Sequence, residues 1–186
     1  MPEAAAEPDV VLSPMRATHL DAVLRIEEAV YPTPWSRSLF ESELSKLSTR
    51  AYYVAHEGQR LCGYGGLLMA GDEAHVATVA VDPAFQRRGM ATRLMLHLSV
   101  AALERGASTA TLEVRADNTA AQRLYARFGY MPVGVRRGYY VVDGERIDAV
   151  IMTAADIRGA AYRERLQALA DGLTGTTRVE PDIGPP

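Results

Sequence analysis

The strongest structural signal in this sequence is an apolar strand that leads through a short basic loop into an amphipathic helix. Residues 76–81, VATVAV, have the β-branched composition of a buried strand, and residues 88–105 have a helical pattern. The apolar positions of this helix recur at steps of three and four residues: Ala91, Leu94, Met95, Leu98, Ala101 and Ala102. Gly106 ends the helix and a second strand, Thr109–Arg115, follows it. Because strand, helix and strand in this order predict a parallel crossover, the chain is predicted to be an α/β protein.

The segments on either side of this unit predict antiparallel strands and further helices. A short strand at Val10–Leu12 precedes two helices, and three β-rich segments, split at Glu57-Gly58 and Gly71-Asp72, form an antiparallel meander. Asn118 caps another helix, and residues 131–153 form a closing hairpin. We therefore expect a mixed central sheet, with an antiparallel meander and one parallel strand pair, flanked by helices.

The length of 186 residues corresponds to one ordinary domain. We place this domain at residues 10–154, after an acidic, proline-bearing N-terminal tail at residues 1–9 that we expect to be flexible. Apolar residues within 155–171 indicate one additional amphipathic helix. Residues 172–186 lack an apolar period, so we expect a flexible C-terminal tail that contributes little to folding.

Composition excludes several classes of function. Twenty Lys and Arg against 23 Asp and Glu give a net charge of −3, which argues against a protein that binds nucleic acid by bulk electrostatics. The single cysteine, Cys62, cannot form an internal disulfide, and the four histidines show no metal-ligand spacing, so no metal is expected. The N-terminus does not resemble a signal peptide and no stretch is long and apolar enough for a membrane span. We therefore expect a cytoplasmic protein with no membrane partner.

The loop between the strand and the strong helix is a candidate phosphate site. It reads QRRGMA over residues 86–91, and free N–H groups at a helix N-terminus attract phosphate. Gly89 lets a ligand approach the backbone closely, while Arg87 and Arg88 add positive charge. The loop has neither the Walker pattern nor the dinucleotide fingerprint. From these residues alone, a pyrophosphate site and an ordinary solvated arginine-rich loop remain equally open.

Four sequence blocks resemble the GNAT acetyltransferase family. The block VDPAFQRRGMA at residues 81–91 is similar to the acetyl-coenzyme A (acetyl-CoA) signature of that family. Three others resemble its bacterial RimI type, which acetylates the N-terminal alanine of a small-subunit ribosomal protein: YPTPW at 31–35, LEVRADNTAAQRLYARFGY at 112–130 and RRGYYVVDGERIDAVIMT at 136–153. The resemblance runs from about Val11 to Thr153 and implies the GNAT fold.

The resemblance also implies a cofactor site for acetyl-CoA as co-substrate, without a metal. It implies that a strand edge contacts the pantetheine arm and that the loop and helix start contact the pyrophosphate, with an asparagine as a further contact. The cofactor-binding residues implied in this way are Val79, Ala80, Val81, Arg87, Arg88, Gly89, Met90, Ala91, Thr92 and Asn118.

Two catalytic residues are implied by the same resemblance, Glu113 as general base and Tyr125 as general acid. The spacing agrees with this, because Asn118 and Tyr125 share one face of a helix and Glu113 lies near the end of the strand that precedes it. Acetyl transfer needs a deprotonated amine and a proton donor for the departing thiolate. Each residue also has an ordinary structural interpretation. Glu113 can belong to the polar face of a strand, Tyr125 can be a half-buried helix tyrosine, and Asn118 can be a plain helix cap. No Ser/Asp or Cys/His pattern accompanies the histidines, so a covalent acyl-enzyme is not expected.

The acceptor follows from the resemblance and from the energetics of deprotonation. An α-amino group titrates near 7.7 to 8.0 and lysine near 10.4, so roughly 1 and 4.6 kcal/mol are needed to free these amines at pH 7. We expect a protein N-terminal peptide, from a ribosomal protein, as partner, with Tyr31, Trp35 and Tyr139 binding the acceptor. A lysine, a polyamine or an antibiotic as acceptor, and a CoA-binding regulatory domain without turnover, are the alternatives. The oligomeric state is left open.

Overall fold

The computed structural model describes residues 9–181, which form one eight-stranded mixed sheet with helices on both faces. The strands, numbered in chain order, are β1 (Val10–Pro14), β2 (Arg50–Glu57), β3 (Arg60–Ala70), β4 (Glu73–Val81), β5 (Thr109–Arg115), β6 (Met131–Val142), β7 (Glu145–Ala154) and β8 (Thr177–Val179). Their spatial order is β6-β7-β5-β4-β3-β2-β1-β8. Strands β1 to β4 form the predicted antiparallel meander and β4 pairs with β5 in parallel, so the predicted mixed α/β architecture is confirmed.

In the described part of the chain, five α-helices flank the sheet: α1 (Leu20–Val30), α2 (Arg37–Leu44), α3 (Met90–Glu104), α4 (Thr119–Arg127) and α5 (Ala160–Asp171). Local sequence determines where several of them begin. The Ser36 hydroxyl accepts the Leu39 N–H at the start of α2, and the Asn118 amide oxygen accepts the Ala121 N–H at the start of α4. Helix α5 lies inside the range where an additional helix is expected. None of the helices in the described range is long and apolar enough to cross a membrane.

Strands β4 and β5 are hydrogen-bonded over only part of their length. Glu73–His75 pairs with Thr109–Thr111, after which β4 continues to Val81 and β5 to Arg115 without pairing to each other. A bulge in β4, where the register with β3 shifts between Gly66 and Leu67, accompanies this separation. The sheet therefore opens into a cleft at the C-terminal ends of its two parallel strands.

Alternation along β5 divides its side chains between two environments. Leu112 and Val114 are buried in the core that α3 and α5 cover. Glu113 lies between them in sequence and therefore projects from the opposite face. On that opposite face α1 and α2 cover β2 to β4, with a second core around Leu20 and Phe40.

The C-terminal segment differs from the sequence expectation. We expected a flexible tail at residues 172–186, but Thr177–Val179 forms β8, which pairs in parallel with β1. Arg93 of α3 is 4% exposed and donates to the Thr177 hydroxyl and the Thr174 carbonyl. This prediction is wrong for the residues up to 181, because polar backbone and guanidinium contacts hold the segment and an apolar period does not report such contacts. Residues 182–186, and residues 1–8 of the expected N-terminal tail, lie outside the described part of the chain.

Candidate active site

The site is built around the cleft between β4, β5 and the helices that follow each of them. A cavity of about 550 Å³ lies between the start of α3 and one face of α4. Its lining includes Val81 at the end of β4 and the basic loop at residues 86–89. The strand end and the loop, which the sequence analysis assigns to one cofactor, therefore border the same cavity.

The edge of β4 presents backbone donors to the cleft. The Thr78 and Ala80 carbonyls lie beside β3, so the Val79 and Val81 carbonyls point to the other side. There they accept hydrogen bonds from the Tyr31 hydroxyl at 2.9 Å and the Gln86 side-chain amide at 3.2 Å. Because the N–H and C=O of one strand residue point to the same side, the Val79 and Val81 N–H groups also face the cleft. Ala80 faces β3 instead.

The basic loop has the backbone geometry of an anion cradle. Gly89 is the N-cap of α3 with φ of 75°, and Arg87 has φ of 66°, so both lie in the left-handed region. The side chains of Met90 and Thr92 are buried, and these residues can therefore offer only their N–H groups to a ligand. Arg87 is exposed at the cavity. Backbone donors and one guanidinium thus converge at the helix start.

Arg88 is directed away from this cradle. Its guanidinium donates to the Glu57 carboxylate at 2.8 Å and lies 5.2 Å from the centre of the Phe85 ring. The sequence predicts a phosphate as the partner of Arg88, whereas the structure pairs this charge with Glu57. Asn118 caps α4, as its ordinary structural interpretation requires, and does not line the cavity.

Glu113 has a partner on each carboxylate oxygen. Its Oε2 lies 2.5 Å from Nε2 of His75, and its Oε1 accepts Nε of Arg136 at 3.1 Å. The side chain is 14% exposed, so it is partly accessible to solvent from the cleft side of the sheet. Among residues 9–181, no group of three or more His, Cys, Asp or Glu side chains is arranged to hold a metal ion. The cluster is therefore a candidate for proton transfer.

Sequence reasoning missed His75. The four histidines show no metal-ligand spacing and no Ser/Asp or Cys/His pattern, so none of them was a candidate site residue. In the parallel pair, however, His75 is in register with Thr111, and Glu113 is two residues further along the same face of β5. The predicted parallel crossover between β4 and β5 could have indicated this contact, because parallel pairing brings polar residues of both strands to one face of the sheet.

Tyr125 lies on α4, where its ring packs against the core that contains Leu112 and Val114. Its hydroxyl forms no hydrogen bond with the described residues around it, and burial of the phenol raises its pKa above the ordinary value. Charge on Tyr31 or Tyr140 would raise this pKa further, which places the three hydroxyls in one neighbourhood. Burial also raises the pKa of Tyr31 and that of Tyr140, each to about 12. All three hydroxyls are therefore protonated at neutral pH.

The three residues predicted to bind an acceptor have different environments. Tyr31 is anchored to β4 through its hydroxyl. Trp35 packs on Phe40 with ring centres 5.3 Å apart, whereas Tyr139 on β6 is 54% exposed. The loop after α1 meets β6 where the Thr33 hydroxyl donates to the Val141 carbonyl at 3.3 Å. The hydroxyl contact thus places Tyr31 at the cleft side of β4, and of the three residues Tyr139 is the exposed one.

Two basic residues of α4 also escaped the sequence analysis. Arg123 and Arg127 line the cavity together with Ala120 and Leu124. These positions follow the spacing of one helical face, which faces the start of α3. The helical spacing of these positions is visible in the sequence, but it was used only to place the apolar residue Leu124.

Comparison with known proteins gives concordant matches. A model described as the acetyltransferase (GNAT) family matches residues 20–130. The ribosomal protein bS18-alanine N-acetyltransferase of Escherichia coli K12 is 34% identical over 141 residues, which cover 76% of this chain and 94% of that protein. N-alpha-acetyltransferase RimI of Mycobacterium tuberculosis H37Rv is 40% identical over 134 residues, 69% of this chain and 79% of that protein.

Solved structures agree. The crystal structure of the ribosomal-protein-S18-alanine N-acetyltransferase from Escherichia coli superimposes with a TM-score of 0.73 at 32% identity, over 79% of this chain and 94% of that chain. Arabidopsis thaliana NAA60 in complex with acetyl-CoA has a TM-score of 0.70 at 18% identity, over 81% and 99% of the two chains. At that identity the second match shows a shared fold alone.

Proposed function

This chain belongs to the GNAT acetyltransferase family, and from that premise we propose that it acetylates the α-amino group of a protein N-terminus. The acceptor we propose is the N-terminal alanine of a small-subunit ribosomal protein, with acetyl-CoA as co-substrate. The names of the Escherichia coli and Mycobacterium tuberculosis relatives support an α-amino acceptor, and the name of the Escherichia coli relative supports a ribosomal one.

One observation carries this proposal, the contact between Glu113 and His75 where β4 and β5 separate. A carboxylate can accept a proton from an ammonium group, and an imidazole in contact with that carboxylate can relay the proton to solvent. A proton taken up at Glu113 can therefore pass to Nε2 of His75, which is 28% exposed and in contact with solvent. Arg136 holds the other carboxylate oxygen and keeps Glu113 in place.

The residues of the cleft fit acetyl-CoA. Its pantetheine amides would meet the N–H groups of Val79 and Val81, which pair with no strand of residues 9–181 on the cleft side. Its pyrophosphate would meet the backbone from Arg87 to Thr92, where left-handed Gly89 clears the approach. Acetyl-CoA supplies an acetyl group that is activated as a thioester. Of the other residues that the resemblance implies, Arg88 would contribute through its backbone in this stretch, whereas Ala80 faces β3 and Asn118 lies outside the cavity lining, so these two are not part of the proposed set.

Tyr125 is the proposed proton donor. Its raised pKa keeps the phenol protonated, and the absence of a hydrogen-bond partner among the described residues leaves its proton available to a departing sulfur. The amine attacks directly, since Cys62 is fully buried within β3 and burial raises the pKa of its thiol to about 11. Tyr31, Trp35 and Tyr139 would border the peptide.

The choice of an α-amino acceptor follows from the energetics of deprotonating the amine. A carboxylate with one histidine can deprotonate a group that titrates near 8 at a cost of roughly 1 kcal/mol, but lysine needs about 4.6 kcal/mol at pH 7. The same base is therefore far better matched to a peptide N-terminus.

The test compares two peptide sets, with CoA release and the mass of the product as readouts. One set begins with a free Ala followed by Arg, and the other is blocked at the N-terminus and carries an internal lysine. We expect acetylation at the N-terminus of the first set. Equal or faster acetylation of the blocked set would replace the α-amino assignment with a lysine acceptor. CoA binding without turnover on any peptide or small amine would indicate a regulatory domain.

A further inference from the structure

Among residues 9–181, the lining of the cavity at the start of α3 includes three arginines and no carboxylate. Arg87 comes from the basic loop, and Arg123 and Arg127 come from consecutive turns of α4. None of the three forms an ion pair with another residue in the range 9–181, whereas Arg88 next to them is paired with Glu57. Three guanidinium groups thus border one cavity of about 550 Å³ without a counter-charge from the part of the chain that the structure describes.

The α4 pair has an energetic cost that a ligand would offset. Arg123 and Arg127 are four residues apart, so their side chains are neighbours on the helix and like charges at this spacing are destabilising. Both are exposed, which leaves the guanidinium groups free to turn toward the cavity. Each guanidinium can bind a phosphate through two parallel hydrogen bonds. An anion beyond the one held by the backbone cradle is the ligand that suits this pair.

We propose that Arg123 and Arg127 bind the 3′-phosphate on the ribose of CoA, so that the enzyme distinguishes CoA from dephospho-CoA. This inference rests on the proposed function for its cofactor. The 3′-phosphate is a dianionic monoester one ribose away from the pyrophosphate, so both anions fall within the reach of one cavity. The helix start and Arg87 take the pyrophosphate, and the α4 pair takes the additional phosphate.

Calorimetry with CoA and with dephospho-CoA tests this directly, because the two ligands differ only in that phosphate. We expect the wild-type protein to bind CoA about 10- to 100-fold more tightly. The double variant Arg123→Gln/Arg127→Gln should lose about that factor for CoA and change by less than about threefold for dephospho-CoA. Arg87→Gln should weaken both ligands equally. Arg163→Gln, an exposed arginine of α5 outside the cavity, is the matched control and should change neither affinity.

Three outcomes would overturn the inference. Equal affinities of the wild-type protein for both ligands would show that the 3′-phosphate is not recognised. Equal losses for both ligands in the double variant would assign the arginines to the pyrophosphate, and unchanged CoA affinity would assign them no role. Thermal unfolding and the single variants identify any loss of fold. The binding measurement contains no acceptor peptide. Its result therefore stands even if the peptide assay fails to support the proposed acceptor.

Discussion

The Nε2 atom of His75 lies 2.5 Å from the Oε2 atom of Glu113, although 38 positions separate the two residues in the chain. The contact exists because β4 and β5 pair in parallel for only three residue pairs, and Glu113 is just beyond the last of them. The candidate general base is therefore a coupled carboxylate and imidazole that share one hydrogen bond.

Removing the charge of Glu113 should slow acetyl transfer. We expect Glu113→Gln to lower kcat by about 10²- to 10⁴-fold at pH 7, with a smaller loss in His75→Gln. Both losses should shrink toward pH 9, because an α-amino group deprotonates unaided there. Arg136→Gln is the comparison, since it removes the other partner of Glu113 without removing a proton acceptor. A wild-type rate at pH 7 in Glu113→Gln would exclude Glu113 from the mechanism, and a wild-type pH profile in His75→Gln would exclude His75.

Loss of the Tyr125 hydroxyl should affect turnover but not cofactor binding. We expect Tyr125→Phe to lower kcat by roughly 10²- to 10⁴-fold while calorimetry gives the same Kd for CoA. Tyr140→Phe removes a second hydroxyl from the same neighbourhood, 3.4 Å from the Glu113 carbonyl, and is the matched control. Equal rate losses in the two variants would mean that the hydroxyls act by shaping the cleft and that Tyr125 is not a specific proton donor.

Gly89 combines two restrictions that a pair of variants can separate. Its left-handed conformation strains any L side chain, and an added Cβ would lie 2.8 Å from the Leu173 side chain. Gly71 has φ of 64° with open space around it, so Gly71→Ala measures the conformational term alone. We expect Gly89→Ala to lower Tm further than Gly71→Ala, and to weaken CoA binding where Gly71→Ala does not. Equal changes in Tm and in CoA affinity for the two variants would show that neither the contact with Leu173 nor the phosphate cradle requires glycine at position 89.

Glu27 should make stability depend on pH. It is 2% exposed, its Oε1 accepts the Trp35 N–H at 2.9 Å, and burial raises its pKa to about 7. Between pH 4.5 and 7 the unfolded chain has released this proton and the folded chain still holds it, so stability falls as pH rises through that window. We expect a decline of at most about 3 kcal/mol in urea unfolding, which Glu27→Gln removes. The same slope in the variant would assign the pH dependence to other groups.

The C-terminal segment should contribute to stability. Removing residues 173–186 exposes the edge of β1 and takes two hydrogen-bond partners from buried Arg93. We expect a loss of roughly 2 to 3 kcal/mol, or about 5 to 10 °C in Tm. Removal of residues 182–186 alone is the matched control, because it keeps the contacts of Arg93 and β8. An unchanged Tm in the longer truncation would show that the segment contributes nothing to stability, as the sequence predicts for a flexible tail.

Local patterns in the sequence determined most of the elements of the fold. The spacing of Leu94, Met95 and Leu98 encodes α3, because these side chains share a face only in a helix. Ser36 and Asn118 mark helix starts by accepting nearby N–H groups, which is also a local effect. In the loop at residues 86–91, Gly89 allows the left-handed turn before α3, because glycine adopts positive φ values without steric strain.

Only the tertiary structure decided which charged groups meet. Arg88 pairs with Glu57, His75 with Glu113 and buried Arg93 with the C-terminal segment, and each contact joins residues far apart in sequence. Such pairs depend on strand register and on the separation of β4 from β5, which follow from packing over the whole sheet. Periodicity reports which face of an element is buried, but it carries no information on the partner that the opposite face finds.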